Sequence, residues 1–243
     1  MKVFLLFLFI TLSAAQASAD LRVRPISAPH REKLTEALAE IGSHVKTGFT
    51  SFGVVINGTE PLVDIYLPEE TNLSTALQHV ISQVPGYTFE RVSSHLVDVY
   101  PQAMALDTSG PLNLRVAKVQ IAGASALDIF AKPYQFIPEL KAQKEKGKAP
   151  GACGGLGPGL GSNHSKVEIA LQNVTVKQIL DAVAIANANS ALEEKEETAY
   201  PPVGWVLRSD VDSNTGSRTE TWSFLLTVPH GWRNKITSPS EGK

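Results

Sequence analysis

One pattern recurs along this chain and limits what it can fold into: an alternating apolar strand, a polar cap and an amphipathic helix. Val63-Asp64-Ile65-Tyr66-Leu67 alternates, so Val63, Ile65 and Leu67 share one face of a strand. Asn72 then caps a predicted helix from Leu73 to Val84 that buries Leu73, Leu77, Val80, Ile81 and Val84, and Pro85-Gly86 stops it. Two short strands, Tyr87 to Val92 and Leu96 to Tyr100, follow as a hairpin around Ser93-Ser94-His95. The pattern returns downstream. Val167 to Leu171 alternates, and the stretch from Thr175 to Val183 aligns without a gap on Asn72 to Val80. Thr175 and Gln178 have capping-box spacing, which satisfies backbone donors at the start of a helix. A shorter third echo runs from Ala117 to Phe130, with Ser125 as cap. A unit of this kind cannot bury its apolar face alone, so copies must pack together or meet another layer.

The remaining segments are read by local signals. His30 to Val45 carries Leu34, Ala37, Leu38 and Ile41 at helical spacing, which predicts a helix ended by Gly42. Phe49 to Ile56 reads as a strand before the Asn57-Gly58 turn. Val203 to Leu207 and Thr221 to Val228 read as a second hairpin with a polar tip around Asn214 to Gly216. The fold class expected is α+β: repeated strand-helix-hairpin units forming small mixed or antiparallel sheets packed on helices.

The first residues match an export signal. Lys2 supplies the positive start, Val3 to Leu12 is apolar and too short to span a bilayer, and Ala17-Ser18-Ala19 is a small-residue cleavage pattern. Cleavage after Ala19, or after Ala17, predicts a periplasmic or secreted mature chain. Removing Lys2 leaves a net charge of −3, from 21 basic against 24 acidic residues. So mild a charge gives no general affinity for nucleic acid or anionic lipid, and no membrane span is expected after signal cleavage. Cys153 is the single cysteine, so no intramolecular disulfide can form.

The organisation expected is therefore a signal peptide at 1–19 and a first α+β domain at 20–140, containing a unit at 62–101 and a partial unit at 111–131. A charged, then glycine-rich linker at 141–165 and a second unit at 166–229 follow. The tail, 230–243, is expected to be frayed. Ser190 to Pro202, rich in Glu193, Glu194, Glu196 and Glu197, reads as an exposed loop.

Ala76-Leu77, the apolar helix after them, Gly86 to Val92 and Leu96 to Pro101 together resemble the short N-terminal domain of secretins and TonB receptors (STN). The second copy resembles it less closely, with Ile179-Leu180 in place of Ala-Leu, no equivalent glycine and a wider hairpin. The resemblance implies a small periplasmic α+β module that contacts another envelope protein and is not an enzyme. In that family it precedes a membrane barrel, for which the stretch after Pro229 is too short, so no receptor or channel role is expected.

No catalytic, cofactor-binding or metal-binding residue is assigned by motif. Gly155 to Gly161 is glycine-rich, but a strand follows where a phosphate loop needs a helix, and Pro158 removes an amide donor. The histidines His30, His44, His79, His95, His164 and His230 are scattered without paired zinc spacing. No G-x-S-x-G elbow is present, and Glu69-Glu70 are adjacent in a loop with nothing to hold them across a cleft. Cys153 has no His or Asp beside it, and of the four sequons, at Asn57, Asn72, Asn163 and Asn173, two lie at helix starts where such residues are favoured as caps. The expected role is an exported, noncatalytic protein-interaction module of the bacterial envelope, with exposed edge strands such as Leu96 to Tyr100 adding to a partner's sheet. The alternatives are a secreted hydrolase using dispersed residues, and a soluble binder of a small ligand or glycan with Trp205 or Trp222 as a stacking surface.

Overall fold

The structure is a computed structural model; it describes residues 21–46, 50–105, 110–145, 151–152, 166–193, 203–211 and 218–227. The signal segment 1–19, Cys153, Gly155 to Gly161, His164, Asn163, the tip at 214–216 and the tail 230–243 lie outside these residues.

The strands are β1 (Arg22–Val23), β2 (Ile26–Lys33), β3 (Ser51–Asn57), β4 (Leu62–Leu67), β5 (Thr71–Asn72), β6 (Tyr87–Arg91), β7 (Leu96–Pro101), β8 (Arg115–Ser125), β9 (Gly151–Ala152), β10 (Lys166–Thr175), β11 (Val203–Val211) and β12 (Arg218–Leu226). The helices are α1 (Leu34–Ser43), α2 (Leu73–Ile81), α3 (Gln102–Ala105), α4 (Ala126–Ala131), α5 (Pro138–Glu145) and α6 (Val176–Glu193). The chain is α+β, as its patterning predicts.

The pairings reveal a duplication. In the first half, β2 pairs antiparallel with β4, β6 with β7, and β3 lies parallel to β7. In the second half, β8 pairs antiparallel with β10, β11 with β12, and β9 lies parallel to β12. Each half therefore runs strand, helix, strand, strand, helix and hairpin, with the same partners. The halves join where β11 pairs parallel with β3, giving one six-stranded sheet in the order β6-β7-β3-β11-β12-β9.

The direction of that joint turns the second unit over. β11 is the counterpart of β6, which runs antiparallel to β3 within the first unit, yet β11 itself runs parallel to β3. A unit flipped about an axis across the sheet presents its helices to the opposite face. The cores divide accordingly. Phe52, Val54, Ile56, Val97, Val99 and Val206 pack with α1 and α2. Val55, Leu96, Trp205, Leu207 and Trp222 pack with α4 and α6 on the other side. The β2–β4 and β8–β10 ribbons close the outer sides, so the order through the molecule is ribbon, helices, sheet, helices, ribbon.

Local signals explain the elements. Asn72 Oδ1 accepts from the Thr75 amide at 2.7 Å, and Ser125 Oγ accepts from the Asp128 amide at 3.1 Å. Thr175 and Gln178 form the predicted capping box, at 2.9 and 3.3 Å. Helix α6 buries Val176, Ile179, Leu180, Val183, Ala184 and Ala188, because it lies between the ribbon and the central sheet.

Several expectations are corrected. His30 to Lys33 is strand, bonded to β4, and the helix begins only at Leu34. The segment 111–131, grouped by sequence with the first domain 20–140, packs in the second unit, since β8 bonds to β10 and α4 joins that core. It is the counterpart of β2 and α1, not a third repeat. Within the expected linker 141–165, α5 extends to Glu145 and Gly151–Ala152 pairs with β12. The expected loop at 190–202 begins later, because α6 continues to Glu193. β7, expected as an exposed edge, is an interior strand between β6 and β3; β6 is the edge.

Candidate functional site

Turning the second unit over brings the start of α6 against the face of β7 that the first unit's own helices leave uncovered. Leu96, Asp98 and Tyr100 alternate along β7 onto that face. Asp98 meets Lys177 in an ion pair, and Lys177 Nζ also lies 2.9 Å from Asp181 Oδ2 one helical turn on. Trp205 on β11 donates its indole N–H to Asp181 Oδ1 at 3.0 Å. The side chains of Asp98 and Asp181 are only 1% and 7% exposed, so this is a buried charged cluster.

Its electrostatics follow from counting two carboxylates against one ammonium. Burial, and then the Asp181 charge, push the Asp98 carboxyl up to about 7. Asp98 Oδ1 has no hydrogen-bond partner among the described residues, which fits a carboxyl that favours its proton. Burial likewise raises Asp181, against the opposing pull of Lys177 and the Trp205 hydrogen bond. Burial alone lowers Lys177, but the two carboxylates outweigh it and hold the ammonium above its usual range. An amine held protonated has no lone pair to offer, so Lys177 is poorly suited to act as a nucleophile or base.

Close approach at the joint depends on two glycines. A Cβ on Gly53, directly across from Asp98, would fall on Asp98 Oδ1 and the Trp205 ring. A Cβ on Gly204 would fall on the main-chain oxygen of Phe52. On the opposite face a second cross-unit pair forms: Arg208 Nη2 donates to Glu60 Oε2 at 2.6 Å. The amide and hydroxyl of Thr35 both donate to Glu60 Oε1.

Beside the cluster opens a cleft of about 330 Å³, lined by Glu90 and Tyr100 of the first unit, Arg115, Lys177 and Gln178 of the second, and the Trp205 ring. Of these, Tyr100 donates to Glu90 Oε2 at 3.2 Å. Trp205 borders this cleft, but it is as buried as Trp222, each 1% exposed, so neither ring offers an open stacking surface.

The candidates named from sequence separate. Cys153 and the glycine run are outside the described residues. Glu70 is held by Arg22 at 3.0 Å and Lys46 at 2.7 Å, so it ties β1 and the stretch after α1 to the loop before α2. His79 is exposed on α2. His30, on β2, meets Glu40 of α1 at 2.9 Å and Glu32 at 3.7 Å. Sequence reasoning missed Asp98, Lys177 and Asp181. The available signals were a carboxylate inside an otherwise apolar strand and a Lys-x-x-x-Asp pair at the start of a repeat helix.

Compared with known proteins, the chain matches no protein-family model, no curated protein and no solved structure. What the geometry defines is a class: a duplicated α+β protein whose two inverted units share one sheet and meet at a charged, cleft-bearing junction.

Proposed function

We propose that the chain is an exported, noncatalytic protein-interaction module of the bacterial cell envelope, in which β6 accepts a strand from a partner. The observation that carries this is the position of β6 at the edge of the six-stranded sheet, paired on one side with β7. Gln102 donates to the Gly86 oxygen at 2.8 Å and Val92 to the Leu96 oxygen at 3.0 Å, so the bonded pairs of this ladder are Thr88–Tyr100 and Glu90–Asp98. The main-chain N–H and C=O of Phe89 then point to the outer side, where a partner strand could bond to them. The STN resemblance supports the same reading, since each unit is a small α+β module of the kind it implies. So does the junction cluster, whose charges are spent on one another.

The test places a photoreactive residue at Thr88 or Glu90 in the envelope, with exposed His79 on α2 as the control position. The expected result is one discrete adduct from the β6 positions and none from position 79. No adduct from β6, or the same adducts from all three positions, contradicts it.

The cleft favours a second reading, a binder of a small ligand, because its volume and mixed lining match those of ligand sites. Saturable quenching of tryptophan fluorescence that Trp205→Phe abolishes is the outcome expected if the cleft binds.

A further inference from the structure

The cluster at His30, Glu32 and Glu40 lies apart from both the junction and the β6 edge. His30 and Glu32 alternate onto the same face of β2, and Glu40 comes from the second turn of α1. One ligand atom from each of the three lies within 4.8 Å of the others.

Two observations distinguish this from an ordinary surface ion pair. The first is the tautomer of His30. Its Nδ1 stands 2.8 Å from the Ala28 carbonyl oxygen, which can only accept, so Nδ1 carries a hydrogen. Nε2 then faces Glu40 Oε2 at 2.9 Å. With a neutral imidazole, these are two lone pairs turned towards each other, so either a proton or a metal ion must sit between them. A ring N–H donated to a backbone carbonyl is also the usual way a metal-binding histidine is oriented. The second is Glu32 Oε1, a carboxylate oxygen buried from solvent with no hydrogen-bond partner among the described residues, which lies 3.7 Å from His30 Nε2. A second carboxylate beside Glu40 is repelled by it unless a proton or a metal ion intervenes.

We propose that His30 Nε2, Glu32 and Glu40 bind a divalent transition cation, with zinc as the representative ion. Ligand atoms bonded to one such ion at ~2.1 Å stand roughly 3.0–3.4 Å apart. The two separations from His30, 2.9 and 3.7 Å, bracket that range, and all three ligand atoms lie within 4.8 Å of one another, so side-chain rotations can complete the set. One imidazole and two carboxylates supply two negative charges and the mixed nitrogen and oxygen donors that zinc accepts. The side chains remain 38%, 19% and 21% exposed, which leaves room for water as a further ligand. Bound there, the ion would tie β2 to α1.

The test uses the full mature chain, stripped with chelator and titrated calorimetrically with Zn²⁺, beside the variants His30→Ala and Glu40→Gln. Both positions are partly exposed, and circular dichroism checks that the variants fold. The expected result is saturable binding of one equivalent whose affinity falls more than about tenfold in each variant. Zn²⁺ should also raise the thermal midpoint of the wild type but not of the variants. Binding of equal affinity in all three proteins would place the metal elsewhere. No saturable binding in the wild type would leave an imidazolium–carboxylate pair. Either result overturns the proposal.

Discussion

Glu60 and Arg208, 148 residues apart in the chain, meet at 2.6 Å across the joint between the two units. Glu60 precedes β4 in the first unit, and Arg208 lies on β11 of the second. The Glu60 side chain is 5% exposed, and although burial alone raises its pKa, hydrogen bonds from Thr35 and the Arg208 pair outweigh this and hold it below its usual value. Arg208→Ala leaves that buried carboxylate with Thr35 alone. The expected loss is about 2 kcal/mol, read from the urea midpoint at neutral pH. An unchanged midpoint means that the pair contributes nothing to the joint.

The Asp98 cluster gives the stability of the metal-free protein a sign with pH. Asp98 titrates near 7 in the folded chain, against ~3.9 when unfolded. Below about 4 both states hold the proton; between there and 7 only the unfolded chain releases it, so stability falls as pH rises and levels off above 7. Glu32, pushed up to about 7 by burial and by Glu40, acts in the same direction. The raised His30 does too, since its contribution is complete below 6.5 and is lost as pH rises through its folded value. The urea midpoint is therefore expected to be lower at pH 8 than at pH 5, and Asp98→Asn should shrink the difference. An equal difference in the variant removes Asp98 from the explanation.

The two glycines at the joint should respond unequally to alanine. At Gly53 the added methyl meets the ends of two side chains, Asp98 and Trp205, which can shift, at a cost of about 1–3 kcal/mol. At Gly204 it meets the main chain of Phe52, and the pairing of Phe52 with Val97 and of Gly204 with Leu225 leaves neither backbone free to yield. Gly204→Ala should be the more damaging substitution, by soluble yield and thermal midpoint. Equal and small effects from both would mean that β3 and β11 lie farther apart than described.

Much of the fold was legible because its signals are local. Asn72, Ser125 and Thr175 mark helix starts by side-chain chemistry that needs no tertiary partner, and all three cap as expected. The alternation of Val63, Ile65 and Leu67 is equally self-contained. The region from His30 to Lys33 failed for a physical reason: it is bonded to β4, about thirty residues on, and the helical spacing of Leu34 to Ile41 runs straight into it. Read as helix, His30 and Glu32 point apart; read as strand, they share a face with Glu40 in reach. Asp98 was illegible in another way. The face of β7 that it occupies becomes interior only when a parallel joint of four residue pairs brings the second unit over it. No local pattern encodes that joint.

Native-state hydrogen exchange tests the shared sheet most directly. If β3 and β11 form its centre, the amides from Val54 to Ile56 and from Val206 to Arg208 should be among the slowest to exchange and should open together, at the free energy of global unfolding. Exchange of these two segments at separate, much lower free energies, with each unit opening alone, would contradict a single sheet built from two inverted halves.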